Sequence, residues 1–180
     1  MTLIEEIIET AYRFIGFKTI KYNKDNPFNK GNNLDTGFDC SGIWQFILLQ
    51  KGISLYNETL RRNIRYAREF FDFLGEYVSY GEHRKGDLVF FSYCGTMPTH
   101  MGLYVGNNRL IHKGFCDTSL VPVRQLGSYP KCVVLSDLDR IAEDKRNAGR
   151  QIKYRRHRGE QKYFTNPIGF KRFLCESLII

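Results

Sequence analysis

The chain has 180 residues, with Lys+Arg 27 against Asp+Glu 19, a formal net charge of +8, and 42% hydrophobic and 14% aromatic residues. That length suits one domain with at most an extension and excludes two full-sized cores. The apolar content excludes a wholly disordered or collagen-like chain, and the charge favours anionic partners such as nucleic acid, acidic lipid or cell-wall polymer.

The first ten residues, MTLIEEIIET, hold no Lys or Arg and three Glu, so they lack the basic front and apolar core of a secretory signal. The expectation is a cytoplasmic protein or one exported by a leaderless route. Thr2 followed by Glu5 fits a capping box, and Leu3, Ile4, Ile7, Ile8, Ala11 and Ile15 recur at helical spacing, which predicts a helix over about 2–15. From Gly16 to Gly37 the chain is polar, rich in Asn and broken by Pro27, and reads as a long loop. Asp39 opens an apolar run of Ile43, Trp44, Phe46, Ile47 and Leu48, closed by Lys51 and Gly52 as basic last turn and stop. This is a short buried helix with Cys40 at its start. The stretch Ile43 to Leu49, interrupted by Gln45, falls far short of the roughly 20 apolar residues that span a bilayer, so no membrane span is expected. Leu60, Ile64, Ala67 and Phe71 predict a third helix over 58–73.

After Gly75 the pattern changes to short apolar runs bounded by turn residues, predicting strands at 88–91, 101–105, 109–112 and 132–135. Gly106, Asn107 and Asn108 tolerate the positive φ of a tight hairpin turn between two of them. Helices followed by an antiparallel meander make an α+β fold, with N-terminal helices packed on a central antiparallel sheet. Ser136 with Asp139 fits the cap of a further helix. Residues 137–180 hold eleven Lys and Arg against six Asp and Glu, a basic extension following a domain at 1–136. Within it, Phe164, Ile168, Phe170, Phe173 and Leu174 predict that the extension packs back onto the domain. The five cysteines, Cys40, Cys94, Cys116, Cys132 and Cys175, are odd in number and scattered, which reads as mostly reduced thiols filling gaps in the core.

The segment Gly37-Phe38-Asp39-Cys40-Ser41-Gly42 puts a thiol where a helix N-terminus favours the thiolate. A nucleophile needs a base. His100 opens one predicted strand and His112 ends the next, which makes them cross-strand neighbours able to serve as base and orienting group. Cys94, His100, His112 and Cys116 could instead hold zinc, but their spacing matches no paired-ligand pattern. His83 and His157 sit among charged residues and read as solvated. The run from Arg150 to Arg158 reads as a solvated helix face rather than a nucleic-acid site.

Three segments resemble motifs of the NlpC/P60 family of papain-like cysteine peptidases, in the family's order, over about residues 1–125. They are the segment around Cys40, then Lys85-Gly86-Asp87-Leu88-Val89-Phe90-Phe91, then Thr99-His100-Met101-Gly102-Leu103-Tyr104-Val105-Gly106-Asn107 with Leu110-Ile111-His112. The resemblance implies a papain-like fold and a bacterial thiol protease of cell-wall degradation. Its Cys-His-His triad would be Cys40, His100 and His112, cleaving amide bonds of peptidoglycan stem peptides of the D-glutamyl-diamino acid type through a thioester. It further implies that Asp39 and Ser41 line the substrate site, that Tyr22 stands in for an upstream substrate tyrosine, and that backbone N–H groups near Cys40 receive the oxyanion. No metal or organic cofactor is expected. The expected partner is peptidoglycan or its peptide fragments, without nucleic-acid binding; no immunity or inhibitor protein is legible. The family's Pro-Arg-Thr-Ser-like segment is replaced here by the Arg-rich stretch from Asn57 to Phe73. Two other readings fit the same residues: the triad acting on a different amide or acyl substrate, and a non-catalytic protein that holds an anionic polymer.

Overall fold

A computed structural model describes residues 1–17, 19, 31–35, 37–79, 81–92, 96–115, 131–142, 152–155, 161–164 and 169–172. The chain opens with α1 (Leu3–Arg13), capped reciprocally as the sequence predicts: Glu5 N–H donates to Thr2 Oγ1 and Thr2 N–H to Glu5 Oε2. Ile7, Ile8 and Ala11 form its buried stripe, whereas Ile15 lies beyond the helix and is exposed. A two-residue ladder of β1 (Asn32–Asn33) with β2 (Gly37–Phe38) leads into α2 (Gly42–Gln50). This helix ends at Lys51, with Gly52 in the left-handed region at φ 75°, the stop read from the sequence.

The third predicted helix is shorter than its periodicity. The stretch begins with a hairpin, β3 (Tyr56–Asn57) and β4 (Arg62–Asn63), and only α3 (Ala67–Phe73) is helical. Two local contacts explain this. Asn57 Oδ1 accepts the N–H of Leu60, bending the chain, and Arg61 adopts φ 51°. Glu69 then accepts the N–H groups of Arg65 and Tyr66, which starts the helix late.

The remaining strands are β5 (Glu76–Val78), β6 (Leu88–Phe91), β7 (His100–Gly106), β8 (Arg109–Phe115) and β9 (Lys131–Asp137). After α4 (Leu138–Ala142) come β10 (Ile152–Arg155), β11 (Gln161–Phe164) and β12 (Gly169–Arg172). Six of these form one antiparallel sheet in the order β5-β12-β6-β7-β8-β9. Asn107 and Asn108, at φ 51° and 57°, make the tight β7–β8 turn that the sequence predicts. Within the run expected to be a helix face, Ile152–Arg155 is instead a strand, β10, paired antiparallel with β11, and β12 is an interior strand of the main sheet.

Apolar residues of α1, α2 and α3 pack on one face of the sheet around Leu88, Phe90, Met101, Leu103, Ile111 and Val133. A smaller cluster on the other face joins Val78, Val89, Phe91, Leu110, Leu138 and Phe170. Burial on both faces is the main favourable term holding these layers together. His83, expected in solvent, instead stacks on Phe170 at 4.2 Å between ring centroids and meets Tyr104 edge-on, tying the 81–87 turn to β12. The outer edge of β9 is covered by the segment after α1: Val133 N–H donates to Phe17 O, and Gly16 N–H to Val133 O. Cys132 is disulfide-bonded, which corrects the expectation of reduced thiols for that residue; its partner lies outside the described residues. Cys40 is free. Among the described residues, no helix is long and apolar enough to cross a membrane.

Candidate active site

Cys40 sits in the tight turn between β2 and α2, partly exposed, with Ser41 as the N-cap residue of α2. A buried ion pair holds that turn from behind. Arg65 Nη2 lies 2.5 Å from Asp39 Oδ2, and Nη1 donates to Asp39 Oδ1 at 3.0 Å and to Ser41 Oγ at 3.0 Å. Asp39 Oδ1 also accepts the N–H groups of Ser41 (3.1 Å) and Gly42 (2.8 Å). The Gly31 carbonyl closes the knot by accepting from Asp39 N–H and Arg65 Nη2. It lies so close to α2 that a β-carbon on Gly42 would fall 1.7 Å from it. Nearby, Gln45 donates to Ile64 O and accepts from Asn32, so the polar groups around the turn satisfy one another.

This arrangement alters three expectations. Asp39 and Ser41, read as substrate contacts, are each 3% exposed and are committed to Arg65 and to the start of α2. The Ser41 and Gly42 amides, committed to Asp39, leave the N–H of Cys40 itself as the backbone donor of this turn beside Sγ. Burial and the Asp39 carboxylate push the thiol up to about 11, despite positive charge from Lys113 and Arg65, where the start of a helix predicts a lowered value. The first amides of α2 are taken by Asp39, whose negative charge lies beside the thiol. Tyr22 lies outside the described residues.

The two histidines meet on the sheet. His100 pairs with Phe91 and His112 pairs with Gly102, so the histidines are diagonal neighbours on one face rather than directly opposite. His100 Nε2 lies 2.8 Å from His112 Nδ1, and His112 Nε2 lies 2.9 Å from Ser136 Oγ. Glycine at 102 permits this: a β-carbon there would stand 2.9 Å from that of His112. Burial holds His100 well below its ordinary 6.5, helped by His112 and by the lysines at 113 and 131; burial brings His112 down to about 4. Both rings are therefore neutral at pH 7. Cys40 Sγ donates to the carbonyl of Thr99 at 3.7 Å, one residue before His100. The thiol at the start of α2 thus touches the residue before His100, whose ring is bonded to that of His112.

Sequence reasoning missed Arg65 and Ser136. Arg65 stands between apolar Ile64 and the Tyr66-Ala67 pair, and a cation in such a setting signals a buried carboxylate partner. Ser136, expected to cap a helix, ends its side chain on His112, and Asp137 Oδ1 takes the N–H of Asp139 instead.

Residues 25–134 match the NlpC/P60 family. The chain is 36% identical over 103 residues to the bifunctional muramidase/DL-endopeptidase CwlT of Bacillus subtilis, covering 56% of this chain and 29% of that protein. It is 38% identical over 85 residues to a probable endopeptidase p60 of Listeria seeligeri, covering 47% of this chain and 14% of that protein. It thus spans less than a third of the length of either relative. An NlpC/P60 family protein of Bacillus cereus shares the fold, with a TM-score of 0.56 and 20% identity over 96% of this chain and 40% of that one. The chain belongs to the NlpC/P60 family, and its fold is the α+β fold of that family.

Proposed function

We propose that this member of the NlpC/P60 family is a thiol hydrolase of peptidoglycan stem peptides, with Cys40 as nucleophile, His100 as general base and His112 orienting the base. The observation that carries the reading is a partly exposed thiol against Thr99, with two buried imidazoles bonded ring to ring beginning at the next residue. His100 works at Cys40 through Nδ1, because Nε2 is engaged with His112. With the thiol high and the imidazole low, the pair rests neutral, and the proton passes from Sγ to His100 as Sγ attacks the scissile carbonyl. The N–H of Cys40 receives the developing oxyanion. His100 then protonates the leaving amine, and water, activated by the same ring, hydrolyses the thioester.

The substrate class is carried over from the relatives, which are endopeptidases by name. The bond we assign is the amide between D-glutamate and the diamino acid. Lys113 places positive charge at Cys40, and the lysines at 113 and 131 place it at His100, which suits an anionic wall peptide. All three acting residues lie within 1–136, which we assign as the peptidase unit; the basic segment 137–180 contributes β12 to its sheet.

The test is release of muropeptides from purified sacculi by the wild-type chain and by Cys40→Ala, followed by mass analysis. Cleaved stem peptides are expected with the wild type alone, and their masses identify the bond. Absence of products, together with failure of a thiol-directed probe to label Cys40, would overturn the hydrolase reading.

A further inference from the structure

We propose that Ser136 is a positioning residue of this site: it accepts the Nε2–H of His112, fixes that tautomer, and so keeps Nδ1 of His100 able to take a proton. The inference rests on the triad reading above. Ser136 lies on β9, paired with Leu110, while His112 pairs with Val134, so Ser136 is the diagonal neighbour of His112 on the same face of the sheet. Its Oγ is 2.9 Å from Nε2 of His112, whose Nδ1 is 2.8 Å from Nε2 of His100. Glycine at 102, paired with His112, leaves room for the ring between β7 and β9. A β-carbon at 102 would crowd His112 Cβ at 2.9 Å, and one at 114 would stand 3.4 Å from Cε1 and Nε2 of the ring.

Two hydrogen bonds in series share two hydrogens, so the direction of one sets the direction of the other. If Ser136 accepts, His112 carries its hydrogen on Nε2, and its Nδ1 lone pair accepts from His100 Nε2–H. Neutral His100 then has no hydrogen on Nδ1, the form a base at Cys40 requires. If Ser136 donated instead, His112 would carry its hydrogen on Nδ1 and give it to His100 Nε2. Neutral His100 would then be protonated at Nδ1 and unable to act. Only the accepting direction also suits His100 after it has taken the thiol proton, since both its nitrogens then donate. The row therefore keeps one direction through turnover, and no charged group is needed at its end: burial keeps His112 neutral.

The test uses the full chain labelled with 15N. Long-range proton–nitrogen spectra at pH 7 read the tautomer of His112, assigned by its disappearance in His112→Gln. In the wild type and in Ser136→Thr, His112 is expected as the Nε2–H form. In Ser136→Ala a mixture with the Nδ1–H form is expected. On sacculi, Ser136→Ala is expected to lower kcat about three- to tenfold with KM unchanged, the worth of one ordinary hydrogen bond, and Ser136→Thr to restore it. A single Nε2–H tautomer persisting in Ser136→Ala would overturn the proposal, as would full kcat in that variant. The tautomer is read whether or not sacculi are cleaved. A failure of the hydrolase reading, seen as identical digests from wild type and Cys40→Ala, is thereby separated from a failure of this one.

Discussion

Replacing Arg65 with methionine removes the cation that faces Asp39 while keeping an apolar side chain of similar reach. The carboxylate keeps the Ser41 and Gly42 amides and the Ser41 hydroxyl on Oδ1, but Oδ2 loses the Nη2 contact at 2.5 Å, and Gly31 O loses a donor. With side-chain exposures of 10% for Arg65 and 5% for Asp39, solvent cannot replace what is lost. Breaking a buried pair from one side costs about 3–5 kcal/mol. In a domain of this size each kcal/mol moves the thermal midpoint by roughly 2–4 °C, so a fall of about 6–20 °C is expected. The double variant Asp39→Asn with Arg65→Met removes both charges and should recover most of that loss, giving a coupling of at least about 2 kcal/mol. Arg65→Lys should fall between, because an ammonium cannot bridge Asp39, Ser41 and Gly31 as the guanidinium does. Urea and thermal unfolding followed by circular dichroism decide the matter. An Arg65→Met chain within about 1 kcal/mol of wild type, or a double variant no better than the single one, would refute the idea that this pair holds the Cys40 turn.

Acid should weaken the fold through the buried imidazoles. An unfolded His112 takes up a proton near 6.5 and the folded one near 4, so stability declines as pH falls through that window, by about 3 kcal/mol for this residue. His112→Gln should flatten the decline in urea midpoint between these pH values, and an unchanged slope would contradict the assignment. Gly42→Ala should yield little or no folded protein by circular dichroism, because its methyl would collide with Gly31 O at 1.7 Å, and a normal melting curve would count against so close an approach of the two backbones. A chain ending at residue 168 should lose cooperative unfolding altogether. It would lack Phe170 in the smaller core and the Arg172 bonds to buried Asp87 at 3.0 and 2.8 Å.

Much of this architecture is legible in the residues because local chemistry and tertiary demand agree there. Thr2 and Glu5 cap α1, Gly52 stops α2, and two asparagines turn β7 into β8, each for a reason confined to a few neighbours. The 58–73 stretch misleads because its apolar residues recur at helical spacing, while Asn57 and Glu69 bond the backbone otherwise. Nothing local announces β12: Gly169 to Arg172 is a strand because β5 and β6 leave a slot that Phe170 fills. In the site, the nearness of His100 and His112 follows from the hairpin, although the diagonal offset does not. The uses of Arg65 and Ser136 are hidden, since each depends on a partner brought from another part of the chain: Asp39, 26 residues away, and His112, 24 residues away.

The position of β12 also has a consequence for synthesis. Arg172 reaches Asp87 across 85 residues, and its strand pairs on both sides with strands translated long before it. While the ribosome is still at work, β5 and β6 have an empty lane between them, and the sheet that carries His100 is incomplete along one side. Pairings across such separations are slow to form, and domains of this kind complete after their final segment emerges. The edge of β6 away from the strand that carries His100 therefore stays unpaired until residue 172 has emerged.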